Sequence, residues 1–327
     1  MRALRLHAPN ELRLHEEPDP EPEAGEVLVR VAAVGLCGSD RHWLLEGGIG
    51  DAGLERPLVL GHEFAGVVAS GPRAGERVAV DPADPCGSCD LCADGVEHLC
   101  ARMRFAGHGS TDGALRTLMA WPERLVHPVP DTLTDAEAAL AEPLGVALHA
   151  FDLAHVRPGA GAGVFGCGPL GLLLVQLLHM AGASPIVATD TLPHRVAAAA
   201  SLGATHPRLA GTAAGEDGLD VAFEVAGDDG AVDEAIDSLR PTGRLVLVGI
   251  PDDDRTCFRA SAARRKGLTL LVSRRMTAAD LPRALRLAAE GRIVLDPLVT
   301  ERFSLDEWPE AFASLRERRG LKVVVEL

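Results

Sequence analysis

Short runs of β-branched and other apolar residues at 27–34 and 76–80, divided by clusters of Gly, Pro and Asp, set the texture of the first part of the chain. Runs of that length between turn formers predict short, largely antiparallel strands, and so a β-rich domain over residues 1–155. From about residue 160 the pattern changes, and wholly apolar runs alternate with alanine- and leucine-rich stretches of helical character. Strands are expected at 163–165, 185–190, 219–225, 243–249 and 268–272, and helices near 170–181, 195–202 and 230–239. Around six strands fit, which predicts an α/β fold with a doubly wound parallel sheet over residues 156–292. The tail, 293–327, returns to a mixed pattern and ends in an apolar run at 321–327, expected to be a final strand that completes the first domain. No internal repeat interrupts this plan.

The most apolar region, 162–188, is broken by glycines, Pro169 and Pro185 and carries Gln176 and His179, so it reads as a core strand, turn and helix and not as a membrane span. A chain of 327 residues favours two domains over one. Its hydrophobic fraction of 47% and charged fraction of 24% are those of an ordinary folded protein. A formal net charge of -15, with arginines scattered and no basic stripe, argues against a nucleic-acid partner. The first residues lack the apolar run of a signal peptide, so a cytoplasmic location is expected. Seven cysteines is an odd number, and four of them fall within fifteen positions. That distribution suits metal thiolates in a reducing compartment better than a disulfide framework.

The four are Cys86, Cys89, Cys92 and Cys100, on a loop rich in Gly and Asp. Thiolates at such spacing can converge on one tetrahedral Zn²⁺ and close its shell, which makes a structural site. A second signal is Gly166-Cys-Gly168-Pro169-Leu170-Gly171, after an apolar run and before a leucine-rich helix. Gly166 permits a tight turn, Gly168 a close approach of pyrophosphate and Gly171 close packing of helix on sheet, with Pro169 and Leu170 in the same turn. Asp190, nineteen residues beyond Gly171 at the end of the next strand, suits the ribose hydroxyls of NAD. Arg195 follows closely and could pair with a 2′-phosphate, which keeps NADP as the less favoured choice. A third group, Cys37, Ser39, Asp40 and His42, with His62 and Glu63 further on, is weak when taken alone.

In order and spacing, Cys37-Gly-Ser39-Asp-x-His42, Gly61-His62-Glu63, the four-cysteine lobe, Ala141-Glu142-Pro143 and the glycine motif together resemble the zinc-dependent medium-chain dehydrogenases along nearly the whole chain. The resemblance is closest to the sorbitol (polyol) dehydrogenase-like group. It implies a β-rich GroES-like catalytic domain beside the Rossmann domain, a catalytic as well as a structural zinc, and hydride transfer between a secondary alcohol and NAD. Cys37 and His62 would hold the catalytic zinc, with a carboxylate, Glu63 or Glu142, completing three protein ligands. Asp40 would accept the second imidazole N–H of His62. Ser39 would take the proton of the substrate hydroxyl and His42 would pass it toward solvent. Trp43 is either a pocket wall or a packed aromatic. The expected partner is a small alcohol or ketone, the expected assembly a homodimer or homotetramer. A threonine-type amino alcohol dehydrogenase is the alternative enzyme, and a non-catalytic nicotinamide-binding sensor the alternative outside catalysis. The stretch 66–78 and the segment near 205–218 are shorter than in most relatives, and neither removes an expected ligand.

Overall fold

The alternation of apolar and polar positions decides which strands lie half-buried and which lie inside. The computed structural model describes residues 1–212 and 218–327; part of the shortened 205–218 segment lies outside the described residues. Exposure alternates residue by residue along strand Val299–Ser304, as one solvated sheet face requires. Ile186–Asp190 is buried along its whole length, as a parallel strand covered on both faces must be.

Contacts divide the chain into two compact units, Met1–Pro143 with Thr277–Leu327, and Leu144–Met276. In the first, strands Val126–Pro128, Arg77–Val80, Glu63–Val68, Glu26–Gly35, Lys322–Glu326 and Val299–Ser304 lie side by side in that order, and Leu118–Pro122 also pairs with Glu26–Gly35. Their pairing is antiparallel except between Val299–Ser304 and Lys322–Glu326, so the expected terminal strand joins the sheet of the first unit. Leu4, Leu6, Val29, Trp43, Phe64, Leu115 and Met119 fill its core. Trp43 is a packed aromatic, its ring edge-on to His108.

The second unit carries six parallel strands in the spatial order His206–Leu209, Ile186–Asp190, Ala162–Phe165, Leu219–Glu224, Leu239–Leu247 and Thr269–Val272. Numbered along the chain this is 3-2-1-4-5-6, the doubly wound order whose switch point lies between the first and fourth strands. Helix Pro169–Met180 is buried continuously from Gly171 to Leu178, as its uninterrupted leucine face demands. Strand His206–Leu209 has no counterpart in the expected elements, because four residues containing a proline give no periodic signal.

The divisions between units fall at 143/144 and 276/277, where composition places them at 155/156 and 292/293. The later one has a local cause. Helix Asp280–Ala289 buries Leu281, Ala284 and Leu285, and Pro282 and Leu285 face Pro128 and Pro130 of the first unit across a cavity of about 460 Å³.

Candidate active site

In the first unit, strand Glu26–Gly35 delivers the chain to Cys37, which caps helix Gly38–Glu46. Asp40, fully buried in the first turn, accepts the backbone N–H of Cys37 through Oδ2 at 2.8 Å and that of Gly61 through Oδ1 at 3.1 Å. One carboxylate therefore ties together two segments that are distant in sequence. Gly61 adopts φ +89, and a Cβ there would lie 2.7 Å from Val34 Cγ1, so a glycine is required beside His62. The ligand atoms of Cys37, His62 and Glu63 lie within 4.8 Å of one another.

His62 Nε2 faces Ser39 Oγ at 3.4 Å, and Nδ1 lies 3.9 Å from Asp40 Oδ1. The second distance is too long for the N–H donation expected of this pair. Asp40 directs its oxygens to backbone N–H groups instead and holds His62 through the neighbouring peptide. His42 is buried, with Nδ1 3.3 Å from the half-exposed Glu46, an outlet toward water.

Glu63 is 1% exposed and is met by Lys322, whose Nζ donates to its two oxygens at 2.8 and 2.6 Å and to the carbonyl of Leu36 at 3.0 Å. Burial pulls the Lys322 ammonium down, but Glu63 and Cys37 outweigh it and hold its pKa above the ordinary lysine value. Glu142, in the first turn of helix Ala141–Ala154, is buried with no hydrogen bond among the described residues. Burial pushes its carboxyl up to about 8, with Glu63 and Cys37 adding to the rise. Burial and Glu63 push the Cys37 thiol up to about 12. Four acidic groups, Cys37, Asp40, Glu63 and Glu142, thus share one low-dielectric pocket with a single lysine. Such a donor set fits a divalent cation, which would favour the ionised forms that burial opposes.

The four-cysteine lobe is equally well suited to zinc. Cys86, Cys89, Cys92 and Cys100 place their sulfurs within 4.8 Å of one another, with Cys89 Sγ 3.5 Å from Cys92 Sγ and 3.8 Å from Cys100 Sγ. Tetrahedral thiolates with Zn–S bonds of about 2.3 Å stand about 3.8 Å apart. All seven cysteines are free thiols.

In the second unit the glycine turn is sterically obligatory. Gly166 has φ +106, and a Cβ there would lie 2.7 Å from Ala226 N; one on Gly171 would lie 1.9 Å from Gly166 O. At Gly168, the N-cap of the helix, a Cβ would meet nothing nearer than Arg195 Nη1 at 3.5 Å, so this position leaves room for a ligand at the helix N-terminus. Pro169 and Leu170 open that helix. Asp190 accepts backbone N–H groups of Cys167 at 2.8 Å and Leu192 at 2.9 Å, and each oxygen keeps a second lone pair. Arg195 Nη1 lies 3.9 Å from Asp190 Oδ2. Cys167 is buried and donates its thiol to Thr189 O, a packing role.

Residues 23–131 match the alcohol dehydrogenase GroES-like domain, and residues 169–290 match the zinc-binding dehydrogenase domain. The chain is 33% identical to a sorbitol dehydrogenase of Bacillus subtilis (strain 168), over 99% of this chain and 97% of that one. It belongs to the zinc-binding alcohol dehydrogenase family. This dehydrogenase is also 33% identical to a probable D-xylulose reductase A of Aspergillus clavatus, over 98% of this chain and 95% of that one. Among solved structures, L-idonate 5-dehydrogenase from Escherichia coli superposes with a TM-score of 0.93 at 28% identity, covering 100% of this chain and 98% of that one. The chain is thus a zinc- and nicotinamide-dependent oxidoreductase with a GroES-like domain and a Rossmann domain, and these relatives do not favour the threonine-type alternative. No helix among the described residues is long and apolar enough to cross a membrane. The residue that sequence reasoning missed in this dehydrogenase is Lys322. Only its place in an apolar terminal strand is visible locally, and its partner lies 259 positions away.

Proposed function

We propose that this dehydrogenase interconverts a secondary alcohol of the polyol, sugar or cyclitol class and the corresponding ketone, with NAD as the preferred cofactor. The observation that carries the reading is the buried set of Cys37, His62, Glu63 and Glu142, an electron-rich pocket suited to a metal and a hydroxyl. The names of its relatives, sorbitol dehydrogenase, D-xylulose reductase and L-idonate 5-dehydrogenase, support a polyhydroxylated substrate.

Bound zinc would acidify the substrate hydroxyl, and bound nicotinamide would take up the hydride. Cys37, His62 and Glu63 would hold the metal; Glu142, outside their ligand-range group but facing it electrostatically, would orient a hydroxyl beside it. Ser39 takes the hydroxyl proton. His42, three residues on and so on the same side of its helix, passes that proton toward Glu46 and water. Cys86, Cys89, Cys92 and Cys100 hold a second, structural zinc. Gly166, Gly168, Pro169, Leu170 and Gly171 receive the pyrophosphate, while Asp190 selects the unphosphorylated ribose and Arg195 sets the limit of that selection.

The test is the rate of absorbance change at 340 nm with NAD⁺ and NADP⁺ against a panel of polyols, cyclitols, sugars and threonine. The expected result is the highest kcat/KM with a polyhydroxylated alcohol and NAD⁺. Preference for threonine, or no turnover in protein carrying two zinc ions per chain, would overturn the reading. The free thiols support a reducing, cytoplasmic compartment. The apolar edge strand Thr269–Val272, with Val272 77% exposed, supports a homodimer or homotetramer, to be checked by light scattering.

A further inference from the structure

The four sulfurs of the lobe are not held alike. Cys92 and Cys100 are buried, and Cys100 Sγ accepts two backbone N–H groups, from Cys86 and Arg102, each at 3.4 Å. Cys86 is half-buried, and its sulfur meets the side chains of Arg102 and Ser88 beside the Ser88 backbone N–H. Arg102 Nη2 lies 3.3 Å from Cys86 Sγ and 2.9 Å from Ser88 Oγ, and Ser88 Oγ lies 3.8 Å from the same sulfur. Charge sharpens this contrast. Four thiolates on a divalent ion leave a net charge of about -2. Residues 86–102 add Asp90, Asp94 and Glu97, and Arg102 is the one Lys or Arg in that stretch. Its guanidinium is therefore a local cation that offsets the site, through a charge-assisted hydrogen bond to a half-buried sulfur.

We infer that Arg102 is the positioning residue that retains the metal of this lobe, by holding Cys86 as its fourth ligand. The inference rests on the reading that the lobe binds zinc. Zinc leaves a closed tetrathiolate site when one sulfur departs first. Cys86 is a half-buried corner of the site, and the Arg102 guanidinium is the charged group set on its sulfur. With the guanidinium in place the sulfur is kept at the metal; without it, water and competing ligands reach that corner.

The test is zinc release into excess chelator, followed with a chromogenic zinc indicator, from fully loaded wild type, Arg102→Ala, Arg102→Lys and Cys100→Ser. Cys100→Ser identifies the phase that belongs to the lobe. If wild type and Cys100→Ser carry the same number of zinc ions and release them with identical kinetics, the lobe holds none and the underlying reading fails. With that reading intact, Arg102→Ala is expected to speed the lobe phase roughly tenfold or more, with the other phase unchanged and partial recovery in Arg102→Lys. A lobe phase within twofold of wild type would overturn the inference. Melting of zinc-stripped wild type and Arg102→Ala separates retention from packing. Equal melting is expected, and a loss in the stripped variant as large as in the loaded one would make Arg102 a packing residue and overturn the inference as well.

Discussion

Replacing Lys322 with Met tests the electrostatic design of the site most directly. Lys322 and Glu63 are 2% and 1% exposed at their side chains and meet at 2.6 Å, so neither charge has water to fall back on. Removing one partner of a buried pair costs about 3–5 kcal/mol, most of it the penalty on the charge left behind. For a unit of ~150–250 residues each kcal/mol moves Tm by about 2–4 °C, so a fall on the order of 10 °C is expected in zinc-stripped protein. A bound divalent ion beside Glu63 replaces part of the lost ammonium, and the deficit should shrink in zinc-loaded protein. Lys322→Met combined with Glu63→Gln removes both charges and should recover more than half of the loss, because a neutral buried pair carries no comparable penalty. Thermal melting of the wild type, both single variants and the double variant, each stripped and loaded, reads all of this. A single variant that melts within a degree of wild type when stripped, or a double variant no more stable than Lys322→Met, would refute the reasoning.

Asp81 is buried, and that burial raises its pKa from 3.8 to about 6. The native state therefore binds the proton more tightly than the unfolded chain, and the stability this provides is complete below pH 4 and is lost as pH rises through 6. Asp81→Asn, which keeps an acceptor for the Ala83 N–H, should equal wild type near pH 4 and exceed it by roughly 3 kcal/mol at pH 7 in denaturant melts; a constant difference across that range would exclude the mechanism. Asp190→Ala should weaken NAD and raise relative use of NADP, since Arg195 stands 3.9 Å from the carboxylate removed; an unchanged ratio of kcat/KM values would show that Asp190 does not set the choice. Ser39→Ala should lower kcat roughly 10²-fold or more with zinc content intact, and equal activity would reduce Ser39 to a turn residue.

What was legible in the sequence was what chemistry or periodicity marks locally. The strands at 186–190 and 219–224 are runs of mostly buried residues, and the turn at Gly166 is written in Gly166 and Gly171, which no other side chain could replace. Cys86, Cys89, Cys92 and Cys100 announce themselves by spacing, and Cys37, His62 and Glu63 by the company of other motifs. Long-range electrostatics left no such mark. Lys322 stands among valines in an edge-to-centre strand whose pairing is settled only when the sheet assembles. Asp40 was read as a partner of His62, although its oxygens are committed to the N–H groups of Cys37 and Gly61. The short strand His206–Leu209 and the allegiance of helix Asp280–Ala289 depend likewise on tertiary neighbours.

The strand that carries Lys322 is also the last element of the first unit to be synthesised. Residues 144–276 are contiguous and can close their own sheet while synthesis continues, but the first unit lacks strand Lys322–Glu326 until residues 322–326 have been made. Until then Glu26–Gly35 has a bare edge where Val34 and Gly35 will pair with Val325 and Val324, and Glu63 has no ammonium to meet. A nascent chain stalled before residue 322 should therefore expose an unpaired β edge and an uncompensated buried acid, two features that quality-control proteases and chaperones can recognise.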